Sequence, residues 1–154
     1  MFVDLVQITV KAGDGGRGCS SLAHPPHTRY PFPDGGNGGD GGDVIVRADL
    51  HVATLLDFHF RHEFAAGRGA HGGSNTKTGR RGDDWVIRVP IGTVIRDADA
   101  NPAGGGTILR DLTAPNEPVV VAKGGRGGAG NAARPEALPG GRGEQRRLTL
   151  ELKV

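Results

Sequence analysis

Residues 2–11, FVDLVQITVK, put Phe2, Val6, Ile8 and Val10 on one side of an extended segment, with Asp4 the exception on that side. This period of two is the pattern of a half-buried strand. Similar short runs begin at Asp43 (DVIVRADL), Trp85 (WVIRVPIGTVIRD), Thr107 (TILRDL), Pro118 (PVVVAK) and Arg147 (RLTLELKV). Turn residues separate them, and short strands at this spacing predict an all-β sandwich or barrel. Pro90 and Gly92 divide the Trp85 run into two strands, and residues 115–118 mark a further turn. No segment is convincingly helical; Thr54 to Phe64 comes nearest.

Between the strands the glycines recur at intervals of three, as in Gly13 and Gly16, Gly36, Gly39 and Gly42, Gly69 and Gly72, and Gly124, Gly127 and Gly130. Wound with three residues per turn, residues 35–43 have two faces of glycine alone and a third made of Asn37, Asp40 and Asp43. The same phase puts Asp14 and Arg17, Arg68 and His71, and Lys123 and Arg126 on the third faces of the other clusters. A left-handed polyproline II helix has three residues per turn and no internal hydrogen bonds, so bare faces let neighbouring backbones approach and satisfy each other. The expectation is a bundle of such helices, with Gly36, Gly39 and Gly42 buried and Asn37, Asp40 and Asp43 pointing outward. A flexible linker would show no such phase.

Composition narrows the class. With 28 Gly and 10 Pro in 154 residues, these two types make up about twice their usual share, which excludes an ordinary helical domain. Collagen is excluded because the glycines are clustered rather than periodic throughout, and full disorder because the apolar runs alternate as strands do. One domain over 1–154 is expected, with strand-rich parts at about 2–11, 43–66, 84–122 and 146–154, and the glycine-rich bundle at about 12–42, 67–83 and 123–145.

Net charge is only +2, but its distribution is uneven. Residues 1–43 carry three basic and five acidic side chains, whereas 123–147 carry six basic and two acidic ones. The later part suits phosphate, and Arg, at 15 of the 19 cations, suits bidentate phosphate contact. The single Cys19 excludes an intrachain disulfide and fits a reducing compartment. No signal peptide and no run of 18 apolar residues is found, so a soluble chain without a membrane span is expected.

Several motifs fail on context. Gly13, Gly15 and Gly18 satisfy G-x-G-x-x-G, but CSSLAHPPH follows where a phosphate-binding helix should begin. Residues 35–40, GGNGGD, match the start of a calcium-binding β-helix repeat, yet Gly42 occupies its apolar position and no tandem copies occur. There is no Walker A loop and no Asn-Lys-x-Asp guanine reader, so the chain itself has no catalytic residues for nucleotide hydrolysis. The pairs His24 and His27, and His59 and His62, lack the partners of a metal site, and Cys19 has no base identifiable from spacing.

The intervals between glycine clusters carry the chemistry. Residues 19–34 hold His24, His27, Arg29, Tyr30 and Phe32; residues 74–81 hold Asn75, Lys77, Arg80 and Arg81; residues 131–142 hold Asn131, Arg134 and Arg142. If the helices run antiparallel, these loops gather at one end and can present cations and aromatics to RNA phosphates and unstacked bases. The alternative is three ordinary polar loops. Candidate RNA-binding residues are therefore His24, His27, Arg29, Tyr30, Lys77, Arg80, Arg81, Arg126, Arg134 and Arg142.

FVDLVQITVKAGDGGRGCSS, PDGGNGGDGGDVIVRAD, GRGAHGGSNTKTGRRGDDWVIRVPIGTVI, VVVAKGGRGGAGN and LTLELKV together resemble, in order, the amino-terminal domain of the Obg family of ribosome-associated GTPases. The resemblance implies a β-barrel-like set of strands joined to six glycine-rich left-handed helices. It also implies a GTPase domain after residue 154, which would bring GTP and magnesium as the cofactors of the parent protein, with none in this chain. The implied partners are that domain and the large ribosomal subunit with its rRNA, near the catalytic centre during assembly. The implied location is the cytoplasm for a bacterial protein, or the mitochondrial or chloroplast matrix for an organellar one. LAHPPHTRY stands where the family has a basic FRREK-like segment, and the loop after Asn131 is shorter and lacks the family's aromatic. Competing readings are a protein-interaction scaffold that regulates the GTPase domain, and a generic Gly/Arg-rich RNA binder.

Overall fold

The computed structural model describes residues 3–26, 30–98 and 107–153. In chain order its strands are β1 (Val3–Lys11), β2 (Leu22–Ala23), β3 (Phe32–Pro33), β4 (Val44–Ala48), β5 (Glu63–Ala65), β6 (Trp85–Val89), β7 (Thr93–Asp97), β8 (Thr107–Asp111), β9 (Pro118–Ala122) and β10 (Gln145–Lys153). The Thr54 to Phe64 stretch forms only a 3₁₀ turn, Leu56–His59.

One sheet has the order β5-β1-β10-β7-β8 and a second has β6-β4-β9. Neither closes on itself, so the expected barrel-or-sandwich is an open pair of sheets rather than a barrel. β1 and β10 pair antiparallel along nine residues, with Val6 opposite Leu150 and Ile8 opposite Leu148. Alternation sends Val6, Ile8, Val10, Leu148, Leu150 and Leu152 inward against Val44, Val46, Ile87, Val89 and Val121 of the second sheet. Each such side chain removed from water contributes roughly 1.5–3 kcal/mol, which makes this layer the main source of stability. Gly92 turns the chain between β6 and β7 at φ 91°, a conformation that favours glycine.

The glycine-rich parts form six extended segments: I (12–19), II (34–43), III (66–73), IV (77–84), V (123–131) and VI (138–144). Their backbones bond to each other at every third residue. Segment I donates from Gly13, Gly16 and Cys19 to Gly42, Gly39 and Gly36 of segment II, and from Gly15 and Gly18 to Gly141 and Leu138 of segment VI. Segment II in turn donates from Gly36, Gly39 and Gly42 to Gly73, Ala70 and Gly67 of segment III.

Side chains are excluded from these contacts. A Cβ on Gly36, Gly39 or Gly42 would overlap the carbonyl of Lys77, Arg80 or Asp83, one on Gly13 or Gly16 that of Gly67 or Ala70, and one on Gly69 or Gly72 that of Gly39 or Gly36. Gly124, Gly127 and Gly130 abut the carbonyls of Gly41, Gly38 and Gly35 in the same way. Burial follows suit, with all three of Gly36, Gly39 and Gly42 buried and Asn37 and Asp40 exposed.

Candidate nucleic-acid interface

Pairing direction fixes where the connections lie. Segment I is antiparallel to II and VI but parallel to III and V, the latter shown by Gly69 and Gly72 donating to Asp14 and Arg17, and Gly125 and Gly128 to Gly13 and Gly16. Segments I, III and V therefore run away from the sheets and II, IV and VI return, so the described residues of the connections 20–33, 74–76 and 132–137 share the far end of the bundle.

The polar third face of segment II does more than meet water. Asn37, Asp40 and Asp43 each accept a backbone N–H of segment V through Oδ1, from Gly130 at 2.9 Å, Gly127 at 2.8 Å and Gly124 at 2.7 Å. The expectation of simple outward pointing is thus amended: these side chains replace the carbonyl acceptor that a third neighbour would have supplied. Asp14 does the same for Gly143 at 2.9 Å.

One step further along this phase stands Asp34, buried at the tip. Its carboxylate accepts Ser21 Oγ at 2.5 Å and the N–H of Asn75 at 3.0 Å, and its carbonyl accepts the N–H of Thr76 at 2.7 Å. Asn75 and Thr76 sit at φ 57° and 56°, a region that costs a β-branched residue roughly 1–3 kcal/mol and persists only when surrounding contacts enforce it. The Ser21 and Asn75 bonds hold the Asp34 carboxyl below its ordinary pKa, because both favour the charged form. Asn131 completes the clamp: its Oδ1 accepts the N–H of Gly35 at 2.7 Å and its Nδ2 donates to Ser21 O at 2.9 Å. Two side chains thus tie the first connection to the second and to the end of segment V, where the third connection begins.

On this frame the tip carries His24 and Tyr30 from the first connection, Lys77 at the end of the second and Arg134 in the third, all exposed. Tyr30 is 71% exposed, and Leu22 and Phe32 of the β2–β3 hairpin stand beside it in sequence at 61% and 48%. His27 and Arg29 lie outside the described residues. Arg80 is exposed one turn below Lys77, and neither forms an ion pair among the described residues.

Three candidates lie elsewhere. Arg81 faces the sheet end, bonded to Asp84 at 2.9 Å and to Asp43 at 3.4 Å, and these carboxylates stabilise its charged form. Arg126 and Arg142 are exposed on the flanks of segments V and VI. Sequence reasoning passed over Asp34 as a site residue, although the three-residue phase of Asp34, Asn37, Asp40 and Asp43 was the signal that marks it.

The G-x-G-x-x-G glycines are unsuited to a nucleotide. The N–H groups of Gly13, Gly15 and Gly18 are consumed by Gly42, Gly141 and Leu138, leaving none to cradle a phosphate.

The family model for GTP1/OBG matches residues 3–154. The chain is 48% identical over 161 residues to a protein named GTPase Obg from Persephonella marina, covering 99% of this chain and 46% of that protein. It is 44% identical over 162 residues to the GTPase Obg of Chloroherpeton thalassium, covering 100% and 47%. The chain thus spans about half the length of these curated relatives.

Proposed function

The chain belongs to the GTP1/OBG family, and from that premise we propose that residues 1–154 form one docking domain that binds rRNA of the large ribosomal subunit during its assembly. GTP and magnesium belong to a GTPase domain in the remaining length of the protein, and the partners are that domain and the subunit. The compartment is one that holds ribosomes, the cytoplasm for a bacterial protein. Among the described residues no helix is long and apolar enough to cross a membrane.

The observation that carries this reading is the clamped tip. His24, Tyr30, Lys77 and Arg134 project from three connections that Asp34 and Asn131 bind into one unit. A bundle without side chains between its backbones is a stiff support, and its hydrogen bonds at every third residue support a polyproline II conformation for the segments. Stiffness matters because loops already ordered lose little entropy when they meet a partner. Cations then contact phosphates while Tyr30 and Phe32 offer ring faces to unstacked bases.

Cosedimentation of residues 1–154 with purified large subunits across a salt series tests the reading. Contact through several cations makes binding fall steeply with salt. Binding with a shallow salt dependence would favour the protein-interaction scaffold.

A further inference from the structure

A second cationic surface lies on the flank of the bundle, away from the tip. Segment I runs between segments III and VI, bonded to III through Gly69 to Asp14 and Gly72 to Arg17, each 2.8 Å, and to VI through Gly15 to Gly141 at 2.8 Å. Above this join is a hollow whose walls are Asp14, Arg17, Arg68, His71 and Arg142. Its floor includes Gly15 and Gly140, which touch so closely that a Cβ on Gly140 would overlap the Gly15 carbonyl.

The hydrogen bonds there leave donors and few acceptors. Asp14, the one acid of the wall, is engaged through Oδ1 by the Gly143 N–H at 2.9 Å. His71 accepts the Arg17 N–H at Nδ1, 3.2 Å away, so in its neutral form the ring proton sits on Nε2, a donor. Arg17, Arg68 and Arg142 are exposed and form no ion pair among the described residues, unlike Arg81, Arg88, Arg96, Arg110 and Arg146, each of which meets a carboxylate. Three unpaired guanidiniums and an imidazole N–H around a floor of Gly15, Gly140 and Gly141, with Pro139 beside them, make a receptor for anionic oxygens.

We propose that this groove binds backbone phosphates of RNA, as a second contact separate from the tip. The inference rests on the docking role proposed above. The openness of the flank and the origin of its guanidiniums in three different segments favour a chain of phosphates over one small anion. A polynucleotide lying along the flank would meet segment I lengthwise, with Arg68 and Arg142 on either side of it.

The test compares the wild-type protein with the triple variant Arg17→Ala, Arg68→Ala, Arg142→Ala in cosedimentation with large subunits over a salt series. Melting curves establish that the variant folds, and Arg142→Glu alone serves if it does not. Loss of three phosphate contacts is expected to lower the salt slope by about two units and retention at physiological salt by tenfold or more. For the single charge reversal a several-fold loss is expected. Wild-type binding that is steep in salt, with the variant retained equally and with the same slope, would overturn the groove while leaving the tip reading intact. Absence of wild-type binding would overturn both. Calorimetry with tripolyphosphate separates the sources of phosphate: saturation of the groove without any competition against subunit binding would assign it to a small soluble ligand and overturn the RNA contact.

Discussion

Asp34 accepts the backbone N–H of Asn75 through Oδ2 at 3.0 Å, joining the head of segment II to the second connection, 41 residues away in the chain. Its other oxygen holds Ser21. One carboxylate thereby fixes the tip, and the stability it contributes depends on its charge. The folded pKa is depressed below the ordinary 3.8. Such a group contributes fully above the unfolded value, and the contribution is lost as pH falls through the folded one.

Acid unfolding follows from this. Wild type is expected to lose the Asp34 contribution below about pH 3.8, and Asp34→Asn, which cannot titrate, is expected to lose less stability over that interval. Urea midpoints at several pH values between about 3 and 7 measure it. Identical losses in the two proteins would remove Asp34 from the account of the tip.

The bundle makes a sharp contrast between glycines. Gly39→Ala forces a methyl into the carbonyls of Arg80 and Gly79, and a loss of about 1–3 kcal/mol or more is expected, as for other overpacked sites. At Gly73 the nearest atoms to an added Cβ are those of Lys77, its Cβ at 3.4 Å and its carbonyl oxygen at 4.0 Å, all ordinary contact distances, so Gly73→Ala should change stability by under about 0.5 kcal/mol. Thermal melts of both decide; equal melting would refute close backbone packing.

The acceptor ladder gives a gentler test. Asp40→Ala leaves the Gly127 N–H, now bonded at 2.8 Å, to be satisfied by water alone. The expected cost is about 1 kcal/mol, and Asp40→Asn, which keeps an oxygen at that position, should restore most of it. Denaturant unfolding that ranks the two variants equally would show the bond to be dispensable.

Nucleotide chemistry provides a negative expectation. Residues 1–154 alone should give no calorimetric signal with GTP at micromolar concentration, since the amides of Gly13, Gly15 and Gly18 are bound within the bundle. Saturable micromolar binding would contradict that.

Local pattern carried much of the fold. Val6, Ile8 and Val10 alternate in sequence and in burial, and the glycine interval of three reappears as the interval of the hydrogen bonds. Periodicity says which face is bare; it does not say which segment lies against it. Asn37, Asp40 and Asp43 therefore read as a solvated face, although each meets a glycine 81 to 93 residues away. The partners of Arg81 are hidden from the sequence for a related reason. Both Arg80 and Arg81 are exposed, but the return of segment IV toward the sheets brings Arg81 within reach of Asp43, a long-range consequence that composition cannot show. Asp34 continues the same three-residue phase, but only its partner Asn75 shows that it clamps a connection rather than opening a turn.

The central claim is that the clamped tip carries RNA contact, and it is tested most directly by pelleting two double variants with large ribosomal subunits over a salt series. Lys77→Ala with Arg80→Ala removes exposed tip cations. Arg88→Ala with Arg96→Ala removes two arginines of the sheets, paired with Asp49 at 3.9 Å and Glu151 at 3.3 Å. The expected result is several-fold weaker retention of the tip variant at physiological salt, a salt slope lower by roughly 1.5 units, and unchanged behaviour of the sheet variant. Equal retention and equal slopes for the two would contradict the account.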